Sequence, residues 1–171
     1  MSVSTFNVLM ISIALDLANK QKKTSIDYIG SIIFPSGYFA HLLPGLDYTS
    51  FLPFIRLKPN RLFFIYWQPF TDRSLTLDYL TDLRSRLVHK YYLGDIMKVN
   101  EYFITDFKEK EIHFFSGTWD NPKERTRGIF ELIAFKHNEF LILIDIATTD
   151  KDPDGKAIEE LRNIRNSLEL I

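Results

Sequence analysis

Two apolar runs in the last third of the sequence, residues 129–135 and 140–147, constrain the fold more than any other feature. Both are short and rich in β-branched and aromatic residues, which is typical of strands. The polar segment 136–139 between them fits a hairpin turn. Residues 156–168 then place apolar side chains at helical spacing. This order predicts an antiparallel sheet with a helix laid across one face.

The sequence before this unit predicts more strands and two more helices. Residues 76–93 carry leucines at helical spacing, with Thr76 as the N-cap and Gly94 at the end. Residues 4–20 predict an amphipathic helix, and shorter strands are predicted at 31–34, 38–43, 54–57, 62–67, 102–106 and 111–118. The predicted fold is α+β, an antiparallel sheet of about six strands flanked by helices. We assign residues 1–25 to an N-terminal helix and residues 26–171 to one domain.

Composition and charge exclude several classes of protein. The 171 residues carry 21 basic and 22 acidic side chains, so the chain lacks the positive field that nucleic acid binding requires. The absence of cysteine excludes disulfides, thiolate metal sites and cysteine nucleophiles. No apolar run reaches the roughly 20 residues of a membrane span. The location stays open: the sequence as written fits the cytoplasm, and a trimmed export signal would place the chain in the cell envelope.

Metal-binding patterns are weak. The four histidines lack the local spacing of a helical zinc site. Asp150, Asp152 and Asp154 alternate like the start of a calcium loop, but Leu161 stands where such a loop needs a bidentate glutamate. We favour Asp152 as a helix N-cap and expect neither a metal nor a cofactor.

Aromatic and basic side chains supply the candidate binding residues. Arg125 and Arg127 can hold an anion, and aromatic rings can line a groove, although core packing and a solvated loop explain the same residues. The complete candidate set is Tyr66, Trp67, Tyr92, His113, Trp119, Arg125 and Arg127. The sequence contains no serine hydrolase elbow, Walker loop or dinucleotide-binding motif, so enzymatic activity stays open and a non-enzyme is favoured.

Two resemblances follow from particular segments. The turn Phe34-Pro35-Ser36-Gly37-Tyr38 and the helix end Ile164-Arg165-Asn166-Ser167-Leu168 resemble the Mog1/PsbP-like α-β-α sandwich. Segments 65–72, 79–94, 117–119 and 129–168 resemble an uncharacterised family of bacterial cell-envelope proteins, which are often lipid-anchored. The resemblances imply a sandwich fold and a binding or accessory role, and they imply no catalytic residue.

Two functions therefore stay open. The first is a non-enzymatic binding or accessory domain that engages a protein partner. The second is a small-molecule-binding protein or hydrolase with a pocket near His113, Trp119 and Arg127. A homodimer joined through an exposed strand edge or through the N-terminal helix is a third arrangement that the sequence allows.

Overall fold

The described part of the chain contains ten strands and two helices. A computed structural model describes residues 22–26, 29–35, 38–42, 48–53, 61–70, 74–91, 96–123, 125–149 and 154–171. The strands are β1 (Lys22–Ile26), β2 (Gly30–Phe34), β3 (Tyr38–Leu42), β4 (Tyr48–Pro53), β5 (Arg61–Pro69), β6 (Ile96–Phe107), β7 (Lys110–Asn121), β8 (Thr126–His137), β9 (Phe140–Thr149) and β10 (Glu169–Leu170). The helices are α1 (Leu77–Tyr91) and α2 (Lys156–Asn166).

Seven strands form one antiparallel sheet in the order β3-β4-β5-β9-β8-β7-β6. β1, β2 and β10 form a separate three-stranded sheet. The predicted hairpin joins β8 to β9, with Asn138 at a φ of 53° in its turn. β9 lies between β8 and β5, so that Leu143 faces Ala134 on one side and Tyr66 on the other. The last long strand of the chain therefore lies well inside the sheet.

β9 is buried on both of its faces, because every residue from Leu141 to Thr148 is buried. Ile142, Ile144 and Ile146 join an apolar cluster with α2, β5 and the small sheet. Leu141 and Leu143 join a second cluster that includes α1. Successive strand residues point to opposite faces, so α1 and α2 cover opposite sides of the sheet.

The two helices begin in different ways. At the start of α1, the Thr76 Oγ1 accepts a hydrogen bond from the Tyr79 amide at 3.2 Å, as an N-cap does. At the start of α2, the N-cap residue is Gly155, whose backbone φ of 65° lies in the left-handed region. No side-chain hydrogen bond caps the helix at this residue. The predicted cap at Asp152 is therefore wrong, and Asp152 itself lies outside the described residues.

A buried ion pair joins α1 to the sheet. The Arg84 Nε lies 2.8 Å from the Asp145 Oδ2 but is not directed for a hydrogen bond, which Nη2 makes to Oδ1 at 3.3 Å. The Arg84 guanidinium also lies 3.8 Å from the centre of the Phe130 ring. Burial raises the pKa of Asp145, and the charge of Arg84 opposes that rise.

A second ionic cluster joins α2 to the opposite face. Glu131 of β8 accepts hydrogen bonds from Arg162 Nε at 3.0 Å and from Arg165 Nη1 at 3.1 Å. Glu159 adds a carboxylate 3.2 Å from Arg162 Nη1. Charges on both sheet faces are thus paired across elements, and each set of pairs joins one helix to the strand beneath it.

The structure confirms the predicted α+β class and the helix near 76–93. The main sheet has seven strands among the described residues, and β6 extends the predicted strand 102–106 back to Ile96. Most of the predicted N-terminal helix falls on residues 1–21, outside the described residues, and Lys22–Ile26 form β1 instead. Within the described residues, neither helix has the length and apolar character that crossing a membrane requires.

Replacing Arg84 with Met should destabilise the protein by about 3–5 kcal/mol, because it leaves the buried Asp145 carboxylate without its partner. The double variant Arg84→Met/Asp145→Leu should recover most of that loss. The matched control is Arg86→Met on the same helix, which breaks an exposed pair with Asp82 and should cost under about 1 kcal/mol. Urea unfolding gives the free energies, and equal losses for the Arg84 and Arg86 variants would contradict the role of the buried pair.

Candidate functional site

The outer part of the sheet is the least covered. β6 forms one edge of the main sheet, and every residue from Asn100 to Asp106 is exposed. Phe103 and Ile104 stay 47% and 53% exposed, and the Phe103 ring stacks on Phe114 of β7 with 4.6 Å between centroids. Large apolar side chains are thus presented to solvent along one strand.

Strand register builds a groove on the α2 side of this outer region. One row across the strands contains Ile96, Asp120 and Arg127. The next row contains Lys98, Thr118, Ile129 and Thr148. Together with Trp119, Gly128 and Thr149, these residues line a groove of about 480 Å³. This volume lies within the range of small-molecule sites.

Gly128 allows β8 and β9 to approach closely at this groove. A Cβ atom built on Gly128 would lie 1.7 Å from the carbonyl oxygen of Thr148. Across this glycine, the Trp119 Nε1 donates a hydrogen bond to the same Thr148 oxygen at 3.2 Å. The indole is therefore fixed beside the groove, and it packs in the core cluster on the α1 side.

The groove carries two cations, one carboxylate and one unpaired hydroxyl. Lys98 and Arg127 contribute positive charges, and Asp120 lies beside Arg127 in the first row. Thr148 is 1% exposed, and its hydroxyl has no hydrogen-bond partner among the described residues. Buried hydroxyls are usually satisfied, so this one needs an explanation.

His113 belongs to a different cavity. That cavity, of about 280 Å³, is lined by Leu75, Glu111, His113 and Lys136. His113 lies about 20 Å along β7 from Trp119, at roughly 3.4 Å per residue. The structure therefore brings Trp119 and Arg127 together, but it does not bring His113 to them.

The His113 side chain is tied to the edge strand. The Tyr102 hydroxyl lies 2.8 Å from His113 Nδ1, within hydrogen-bonding distance. Burial lowers the pKa of His113, while Glu111 raises it and Lys136 lowers it further. A neutral imidazole is therefore favoured in the folded protein.

The other candidate residues lie apart from the groove. Tyr66 and Trp67 are consecutive and pack on opposite faces, Tyr66 with the α1-side cluster and Trp67 with the α2-side cluster. Arg125 is exposed in the turn before β8 at a φ of 53°. Tyr92 lies outside the described residues.

The aspartate-rich loop is described only at its end. Asp154 is exposed and lies 3.1 Å from the ammonium of Lys156, while Asp150 and Asp152 lie outside the described residues. Across the ranges that the structure describes, there is no group of three or more His, Cys, Asp or Glu side chains arranged to hold a metal ion.

Sequence reasoning missed eight of the ten groove residues, among them Ile96, Lys98, Ile129 and Thr148. The alternation of polar and apolar residues from Ile96 to Val99 is too short to distinguish a strand from a loop. Ile129 begins the apolar run 129–135, and Thr148 directly follows the apolar run 140–147, so both positions read as core. Only the pairing of four strands reveals that they share one surface.

Comparison with known proteins places the fold. The sequence matches no model of a known protein family and no curated protein sequence. Its structure is similar to that of cyanobacterial PsbP (CyanoP) from Synechocystis sp. PCC 6803, with a TM-score of 0.62 and 12% identity over 90% of this chain and 94% of that chain. The fold is therefore a PsbP-like α+β sandwich, as the resemblance implied.

Two further structures are similar at a lower level. One is PA94 of Pseudomonas aeruginosa, a protein of unknown function, with a TM-score of 0.48 and 12% identity over 88% of this chain and 97% of that chain. The other is LpqN of Mycobacterium tuberculosis, which is involved in cell envelope biogenesis, with a TM-score of 0.48 and 9% identity over 85% and 87%.

The lowered pKa of His113 predicts a pH dependence of stability. The unfolded chain takes up a proton near the ordinary value of 6.5, whereas the folded imidazole takes it up only at lower pH. This contribution to stability is present above pH 6.5 and is lost as the pH falls through the folded pKa. Wild type should therefore lose more stability than His113→Gln between neutral and mildly acidic pH. Unfolding free energies in urea test this, and parallel curves for the two proteins would count against it.

Proposed function

We propose that the protein is a non-enzymatic binding domain that engages a protein partner through its outer strand β6. The observation that carries this proposal is the concentration of exposed apolar side chains on that strand. Of the large apolar residues exposed in the described part of the chain, Ile96, Tyr102, Phe103 and Ile104 all belong to β6. Isolated exposed apolar residues are ordinary, but a run of them along one edge is typical of an interaction surface.

The backbone of β6 supports the same proposal. One side pairs with β7, and no described strand pairs with the other side. An unpaired edge offers outward amide and carbonyl groups to a partner strand. At 12 residues, β6 is about twice the usual strand length, so it presents a long template.

Two features of β6 limit unspecific pairing. A register shift between Val99 and Glu101 interrupts the regular ladder to β7. Glu101 and Asp106 place carboxylates beside the apolar residues. Bulges and charges are common ways to protect an edge strand from aggregation. We infer that the edge accepts a partner whose side chains match Phe103 and Ile104, and rejects most other strands.

Replacing Phe103 and Ile104 together with Ser should abolish partner capture, because truncating a central apolar anchor weakens binding about 30-fold or more. The measurement is affinity purification from the native host with the wild-type and variant chains as baits. The control is Ile171→Ser, which removes an exposed apolar side chain that lies outside β6. The expected result is a protein that wild type and Ile171→Ser enrich and that the β6 variant loses.

Retention of the same proteins by the β6 variant would overturn the proposal. Light scattering over a concentration series separates a second copy of the chain from a different partner. A mass of two chains that returns to one in the β6 variant would show that the edge pairs with itself. In that case the strand is an interface between copies, and the proposed partner protein is wrong.

A further inference from the structure

In the groove on the α2 side, a strand from the interior of the sheet carries an exposed apolar side chain. On β8, Glu131 is 7% exposed beneath α2, whereas Ile129, two positions earlier on the same face, is 44% exposed. Further along the same face of β8, Glu131 and Ile133 are both buried, so the cover of this strand ends at Ile129. An exposed isoleucine at this position marks a surface that the described elements leave uncovered.

The unpaired hydroxyl of Thr148 is the second observation. It lies in the same row as Ile129 and lines the same groove, yet it is buried and lacks a hydrogen-bond partner among the described residues. A buried hydroxyl without a partner destabilises a folded protein. A ligand in the groove that accepts a hydrogen bond from Thr148 would remove this cost.

The charges of the groove define the ligand. Arg127 and Thr148 are diagonal neighbours on β8 and β9, with Cβ atoms about 7 Å apart, a gap that one carboxylate bridges. Asp120 lies on the other side of Arg127 and repels an anion from that end. Lys98, which has no ion pair among the described residues, adds positive charge across the groove. The anion is therefore favoured at the Thr148 end.

We propose that this groove binds a small amphipathic carboxylate. Arg127 and Thr148 donate hydrogen bonds to the carboxylate, and the apolar body of the ligand lies over Ile129 toward Ile96. Trp119 borders the site, and its indole is held by the hydrogen bond to the Thr148 carbonyl oxygen. The inference does not depend on the proposed protein partner, since Phe103 and Ile104 do not line the groove.

Titration of the full chain with octanoate tests this site, with octanol and octylamine as neutral and cationic controls of the same length. Fluorescence in a Trp67→Phe background reports Trp119 alone, because the sequence has two tryptophans. Octanoate should bind at least about tenfold more tightly than octanol or octylamine. Arg127→Gln should weaken octanoate binding about tenfold, and Lys98→Gln about threefold. Lys136→Gln removes the same charge beside the His113 cavity and should change nothing.

Thr148→Val separates a ligand-binding hydroxyl from a merely structural one. The near-isosteric change removes the unpaired group, so the melting temperature of the free protein should rise while octanoate affinity falls about threefold. Thr148→Ser keeps the hydroxyl and should keep the affinity. A hydroxyl with no ligand role would leave octanoate binding unchanged in Thr148→Val.

Three results would overturn the inference: equal affinity for octanoate and octanol, no saturation below about 10 mM octanoate, or unchanged affinity in Thr148→Val. The double variant Phe103→Ser/Ile104→Ser should bind octanoate like wild type. Thr148→Val should in turn still capture the protein partner. Failure of the groove and failure of the β6 interface are therefore distinguishable.

Discussion

The position of β9 inside the sheet is the constraint on which the rest of the structure depends. A strand whose residues from Leu141 to Thr148 are all buried needs pairing on both edges and cover on both faces. β5 and β8 supply the pairing, and α1 and α2 supply the cover. The one charged residue in that stretch, Asp145, is tolerated because Arg84 of α1 meets it. Both the layer order and the placement of α1 follow from this strand.

The same arrangement explains where the candidate sites lie. α1 covers one face of the strands around β9, α2 and the small sheet cover the other, and the Glu131 cluster holds α2 over β8 and β9. The outer strand β6 extends beyond that cover on both faces, and β7 does so on the α2 side at Thr118 and Asp120. The exposed edge of β6 and the groove at Thr148 are both consequences of this incomplete cover. One is open because no described strand pairs with it, and the other because α2 does not reach it.

Local sequence pattern predicted the secondary-structure elements better than it predicted which residues come together in the folded protein. The strands around residues 129–147 and the helix capped by Thr76 follow from periodicity and capping, which depend on residues close in sequence. The predicted pocket of His113, Trp119 and Arg127 rested on the chemistry of these side chains and not on evidence that they lie close together. Trp119 and Arg127 do line one groove, but His113 lies too far along β7, at a cavity beside Leu75. Distance along a strand separates residues that share a face.

The sequence by itself determined the α+β class, the β8–β9 hairpin and the two amphipathic helices, because these depend on hydrophobic periodicity and turn chemistry over short ranges. Only the tertiary structure decided that β5 pairs with β9, and that Lys98, Ile129 and Thr148 stand in one row. It also decided which apolar side chains remain exposed. These properties depend on pairing between strands that are distant in the chain, and on where a helix stops covering a sheet. The physical reason is that burial and register are set by partners that no short window of sequence contains.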